Sequence, residues 1–278
     1  MKSFKSSDNG KLLQIFSLVA LVLSLLAMLG RLASLLFFYD KIGYYKVGAA
    51  LPIVSNIVFA VALALFAVAS AFLITPTTPG VKLSRIERLA ALPPFAALTT
   101  HFFFSISSTF SSDEPVSWTK LLVLLLCAAS AIFFLLIANG RHPSAPTAIC
   151  GILSVFWVAS AWLESYLDLY IPMNSPDKLY FHFACLGAVF FIFFEVRTLY
   201  AMPRPRLYLF STAAAVLTIL TCSLANLIAN ARNVFERYSS AEYDVIFMTI
   251  AIYASVRLFS NCFTKAPTEE DPTEAEIS

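Results

Sequence analysis

Long runs of apolar residues, separated by short polar segments, occupy nearly the whole chain. Each run meets or approaches the ~20 residues that an α-helix needs to cross ~30 Å of hydrocarbon. Because little sequence is left for a soluble domain, the pattern predicts an all-α, polytopic transmembrane helix bundle of about eight spans. The predicted spans are Leu12–Phe38, Val47–Ile74, Leu89–Phe110, Trp118–Ala138, Ala145–Tyr170, Pro176–Met202, Leu207–Asn230 and Ala241–Phe263.

The composition agrees with a chain embedded in lipid. Of its 278 residues, 59% are hydrophobic and 13% are charged, and the mean hydropathy is +0.78. Soluble domains carry about 25% charged residues. The net charge of +2 is too small to indicate a nucleic-acid partner. We therefore expect residues 1–265 to form one transmembrane domain in the plasma membrane, followed by a short, disordered acidic cytoplasmic tail at 266–278.

The distribution of basic residues predicts the orientation of the bundle. With eight spans and a cytoplasmic N-terminus, twelve Lys and Arg residues lie in cytoplasmic segments and six lie outside. This bias follows the positive-inside rule and predicts that both termini are cytoplasmic. Seven spans are the alternative, because Ala145–Tyr170 and Ala241–Phe263 each carry acidic residues near one end. If either segment did not cross the membrane, the C-terminus would lie outside.

Polar residues inside the spans are costly, so each is a candidate functional residue. At about 1.5 Å of rise per residue, one set of them falls at a similar depth in the outer third of the bundle. Since these residues come from several different helices, we expect them to line an outward-facing pocket that binds a small molecule or ion. The set comprises Arg31, Asn56, Glu164, His182 and Asn226, with Asp168 at the mouth.

Charge pairing within this layer leads to a more specific hypothesis. Glu164 and Asp168 are four residues apart, so they share a helix face and repel unless a cation, a proton or a basic side chain lies between them. We predict that Arg31 approaches Glu164, directly or through His182 or a water. Carboxylates would then outnumber bases, which favours a cationic or proton-coupled ligand. In the alternative, the polar groups only bond one another across a solid bundle, and Asp168 lies in the headgroup zone.

A second pair of charges lies towards the cytoplasmic side. Glu195 ends the sixth span and Arg257 lies in the inner part of the eighth, at a comparable depth. We predict a structural ion pair between the two helices. The alternative is an inner gate that breaks and re-forms during transport.

Motifs for catalysis are scarce in this chain. Nucleotide-binding, metalloprotease and serine-hydrolase patterns are missing from the sequence, and the five cysteines show neither CxxC nor Cys/His spacing. Neither a metal nor a cofactor is expected. The sequence therefore favours a transporter or binding protein for a small solute. The alternatives are a sensory or regulatory membrane protein, and an intramembrane enzyme that uses Glu164, Asp168 or His182 on a lipid-linked substrate.

Overall fold

A computed structural model gives the architecture of the chain. It describes residues 3–39, 44–73, 83–111, 117–141, 143–167, 175–200, 202, 204–232 and 241–260. Eight helices in this part of the chain are long and apolar enough to cross a membrane, which confirms the predicted multi-pass bundle. Asp168 and the acidic tail lie outside the described residues.

The helices follow one another with short connections. Of the eight described spans, three are not single α-helices: the second ends in a π-helical segment, the third consists of two α-helices separated by a turn, and the seventh has a π-helical segment between two α-helices. The helices are α1 Ser3–Phe38, α2 Ala50–Val68 with a π-helical end at Ala69–Leu73, α3 Arg85–Ala90, α4 Leu92–Ser111, α5 Trp118–Ala138, α6 Ala145–Leu167, α7 Pro176–Leu199, α8 Pro205–Ile219, the π segment Leu220–Leu224, α9 Ala225–Ala231 and α10 Ala241–Ser260.

The two ends of the bundle can be distinguished by contacts between the first and last helices. Ser17, near the start of α1, donates a hydrogen bond to the carbonyl oxygen of Leu258, near the end of α10, at 3.3 Å. We call this end of the bundle the proximal end. The end of α1 and the starts of α2 and α7 lie at the opposite, distal end. The sequence prediction is that the proximal end faces the cytoplasm.

The span formed by α8, the π segment and α9 is the most buried of the eight. It packs against α1, α7 and α10. It packs tightly against α7 at Gly187, because a Cβ atom there would lie 3.1 Å from the Cα of Ala215. Large apolar side chains on the outer helices, such as Leu18 and Ile53, are exposed and form the surface that contacts lipid.

Two helix starts place charged residues at opposite ends of the bundle. Ser175 caps α7 by accepting a hydrogen bond from the N–H of Lys178 at 3.3 Å, and Pro176 takes the first helical position. Asp177 therefore lies in the first turn of α7, at the distal end. At the proximal end, Ser84 and Glu87 form a capping box that starts α3.

Candidate functional site: a buried arginine at the distal end

Arg31 is fully buried between α1, α7 and α9. Its Nη2 atom donates to Asp177 Oδ1 at 2.9 Å and to Asn226 Oδ1 at 2.8 Å. The guanidinium carbon lies 4.0 Å from the centre of the Tyr180 ring, a cation–π contact. Three helices thus fix one guanidinium group, and Asp177 neutralises its charge.

Tyr180 connects this buried cluster to the surface of the bundle. Its hydroxyl donates to Asn56 Oδ1 at 2.7 Å, and Asn56 is exposed on α2. Tyr45, in the segment between α1 and α2, is close enough to interact electrostatically with Arg31. Burial raises the pKa of Tyr45 to about 12, although the positive charge of Arg31 acts in the opposite direction. The phenol of Tyr45 is therefore neutral at physiological pH.

The described residues around Arg31 use only part of its hydrogen-bond donor capacity. Nε and Nη1 of Arg31 are buried and have no hydrogen-bond partner among the described residues. A guanidinium group carries five N–H donors in a planar fork, of which Nε and Nη1 hold three. A buried donor without an acceptor costs about 1–3 kcal/mol, and more when it is charged. An additional oxygen acceptor at this position would therefore satisfy these donors.

The π segment between α8 and α9 contains two buried hydroxyl groups. α1 packs against this segment, and Asn226 is the second residue of α9, which follows it. The hydroxyl oxygens of Thr221 and Ser223 are buried without a hydrogen-bond partner among the described residues. π-helical turns are rare and are often found at functional sites, because they change the direction of side chains and loosen the backbone ladder.

The predicted contact between Arg31 and Glu164 is wrong. The carboxylate partner of Arg31 is Asp177, and Glu164 accepts a hydrogen bond from the hydroxyl of Tyr243 at 2.8 Å. The reason is that α1, which carries Arg31, and α6, which carries Glu164, lie at different positions around the bundle. α1 packs against α2, α8, α9 and α10, whereas α6 packs between α5 and α7.

The remaining residues of the predicted outer pocket do not converge on Arg31. Glu164 is exposed on α6. The ring of His182 lies 6.1 Å from the rings of both Trp162 and Tyr166, and its Nε2 atom has no partner among the described residues. The structure therefore brings Arg31 and Asn226 together, adds Asn56 through Tyr180, and places Glu164 and His182 on the α6 side.

A histidine and a second acidic residue form a small cluster beside Glu164. His101 of α4 lies 2.8 Å from Glu242 of α10, measured from Nδ1 to Oε2. The His101 ring is 5.4 Å from the ring of Tyr243, which also donates to Glu164. Since Glu242 is half exposed, this cluster lies at the surface of the bundle.

The proximal end contains a larger buried ionic cluster. Arg257 Nε lies 2.9 Å from Glu195 Oε1, without the N–H alignment of a hydrogen bond. Arg257 Nη1 also donates to Glu87, which accepts a further hydrogen bond from Ser260. The hydroxyls of Tyr208 and Tyr253 each donate to Glu195 at 2.6 Å. The predicted partners Glu195 and Arg257 are therefore together, within a network that joins α3, α7, α8 and α10.

Two acidic residues that the sequence analysis did not select complete these clusters. Asp177 directly follows Ser175 and Pro176 at the start of the sixth predicted span, and Glu87 lay in a segment that hydropathy assigned to a loop. Each lies within two or three residues of a serine N-cap. A serine N-cap marks the start of a helix, and a carboxylate in the first turn of a transmembrane helix lies at the depth of the neighbouring polar layer. The sequence therefore contained the signal for both Asp177 and Glu87.

Comparison with known proteins gives no match: no protein-family model, curated protein or solved structure is significantly similar to this chain.

Proposed function

We propose that this protein binds a small solute with an oxygen acceptor, such as a carboxylate or a phosphate, at Arg31 and carries it across the plasma membrane. The observation that carries the proposal is the buried guanidinium group of Arg31, of which Nε and Nη1 have no partner among the described residues. Asp177 and Asn226 both engage Nη2. They orient the group and leave its other edge for the solute.

The ligand class follows from the charges around Arg31. The expectation of a cationic solute depended on a pairing of Arg31 with Glu164. With Asp177 as the partner, the ion pair is neutral and the unused groups are donors. Planar, two-point recognition of carboxylates and phosphates is the usual role of arginine in such a position.

Transport, rather than binding alone, is supported by the second ionic cluster. Asp177 at the start of α7 takes part in the distal cluster, and Glu195 near its end takes part in the proximal one. Alternating access requires contacts at both ends of a bundle that open in turn. The Arg257–Glu195–Glu87 network would close the proximal end while the distal end admits the solute.

The binding step can be tested by thermal stability of the purified protein. We expect lactate, succinate or inorganic phosphate to raise the Tm of the wild-type protein, since a ligand that binds the folded state stabilises it. The Arg31→Lys variant retains the charge but loses the planar fork, so we expect its affinity to fall at least about tenfold. Arg141→Lys is the matched control, because Arg141 is exposed in the connection between α5 and α6.

Uptake of the radiolabelled form of the best ligand into proteoliposomes tests the transport step. Saturable uptake by the wild-type protein, with loss in Arg31→Lys, is the expected result. If the protein binds the ligand but does not take it up, the sensory alternative would replace transport as the proposed function. If none of the three probes stabilises the wild-type protein, or if Arg31→Lys binds as the wild-type does, the site is not a binding site for this ligand class.

A further inference from the structure

A groove between the end of α2 and the start of α8 opens on the surface of the bundle at the proximal end. Its volume is about 770 Å³, which falls within the ~300–1,000 Å³ range of ligand pockets. Small side chains of α2 and its π-helical end, namely Ala67, Ser70 and Ala71, form one wall. They are three and four residues apart and so share a helix face. The space exists because larger side chains are missing from this face.

The lining combines an apolar body with two positive charges. Phe72, Leu207 and Phe210 supply apolar surface, and Arg204 and Arg206 are exposed at the start of α8. The groove has no acidic lining residue among those that the structure describes. Neither arginine has a carboxylate within ion-pair distance in the described part of the chain.

The backbone of α8 adds to this positive potential. Arg204 is the N-cap residue of α8, and its side chain does not cap the helix. The first N–H groups of a helix carry a partial positive charge and favour an anion. Since α8 continues into a span that crosses the membrane, this helix start lies where the apolar region meets the headgroups.

We propose that the groove between α2 and α8 is a binding site for an anionic phospholipid of the membrane leaflet at the proximal end. Arg204, Arg206 and the start of α8 bind the phosphate and the acidic headgroup, and Phe72, Leu207 and Phe210 contact an acyl chain. Charge complementarity favours an anionic lipid over a neutral one in this groove. A neutral lipid fills the apolar part but leaves two arginines without a counter-ion, and basic pockets between transmembrane helices favour acidic headgroups. The site is separate from Arg31 and does not depend on the proposed function.

The affinity of the full-length protein for phosphatidylserine can be measured in phosphatidylcholine nanodiscs that contain a minor fraction of phosphatidylserine. We expect Arg204→Gln/Arg206→Gln to weaken binding about 30-fold. Each basic residue near the membrane surface strengthens the binding of an anionic lipid by a similar factor, and the factors of the two arginines multiply. Arg85→Gln/Arg141→Gln is the matched control. It removes the same charge from exposed residues at the same end, outside the groove.

A steric variant tests the apolar part of the groove without changing its charge. Ala67→Phe should exclude the acyl chain and weaken binding about tenfold. Val68→Phe adds a similar side chain to the neighbouring exposed position, which does not line the groove, and should bind as the wild-type does. A Tm near that of the wild-type protein establishes that each variant is folded.

Three results would overturn the proposal. The first is equal affinity of Arg204→Gln/Arg206→Gln and its control. The second is equal affinity of Ala67→Phe and Val68→Phe. The third is full displacement of phosphatidylserine by inorganic phosphate, which would identify a site for a free anion instead of a lipid.

Discussion

At the scale of single residues, Arg257 is the strongest candidate for a large stability effect. It is buried with two carboxylates, Glu195 and Glu87. Removing the arginine leaves both carboxylates in a low-dielectric environment without a counter-ion. We therefore expect Arg257→Met to cost about 3–5 kcal/mol, measured as a lower Tm of the purified protein in detergent.

The matched control removes all three charges together. In Glu87→Gln/Glu195→Gln/Arg257→Met no charge is stranded, so most of the lost stability should return. Tyr208→Phe removes one hydrogen bond to Glu195 and should cost less than Arg257→Met, about 1.5–3 kcal/mol. Equal Tm values for Arg257→Met and the wild-type protein would contradict the role of this network.

The sequence predicted the depth of the polar residues in the bundle better than it predicted which residues they contact. Arg31 and Asn226 share a layer, and Glu195 and Arg257 share another. Depth follows from counting residues along an apolar helix, because each residue adds a fixed rise. The order of helices around the bundle does not follow from this count, so the carboxylate next to Arg31 was misassigned. α7, which supplies Asp177, is buried on several faces and has no polar stripe that would indicate its orientation.

At the scale of helices, the packing of α7 on α8 depends on the small residue at Gly187. A Cβ atom there would lie 2.2 Å from Thr218 Oγ1 and 3.1 Å from the Cα of Ala215. Thr218 can rotate away, but the backbone of α8 cannot. We expect Gly187→Ala to separate the two helices and to lower the stability of the bundle by about 1–3 kcal/mol, measured from its Tm.

Two further variants separate crowding from helix propensity. Gly10→Ala is the control, because a Cβ atom at Gly10 meets nothing within 4 Å and alanine favours the helix. Gly187→Ala/Thr218→Ala should recover part of the loss. A Gly187→Ala protein as stable as the wild-type would contradict the role of Gly187 in the packing of α7 on α8.

Hydropathy located all eight spans, and the differences from the structure lie at the helix ends. The third span begins at Arg85 instead of Leu89, because the capping box of Ser84 and Glu87 starts a helix with residues that hydropathy counts as loop. The π segment was not predicted either. Its sequence, Leu220–Leu224, is continuous with the helix on both sides. No proline or glycine marks the change of helix type.

At the scale of the whole molecule, the orientation in the membrane is the remaining prediction from the sequence. An even number of spans places the start of α1 and the end of α10 at the same end, in agreement with the contact between Ser17 and Leu258. The bias of basic residues predicts that this proximal end is cytoplasmic. The proposed path of the solute, from the distal cluster inward, depends on this orientation.

Single cysteines at two exposed positions test it directly. Val47 lies at the distal end, between α1 and α2, and Arg141 lies at the proximal end, between α5 and α6. In a background without the native cysteines, a membrane-impermeant maleimide added to intact cells should label Val47→Cys, and should label Arg141→Cys only after permeabilisation. The reverse pattern would invert the bundle. Arg31 would then face the cytoplasm, and the proximal groove would bind lipid of the outer leaflet, where anionic phospholipids are scarce.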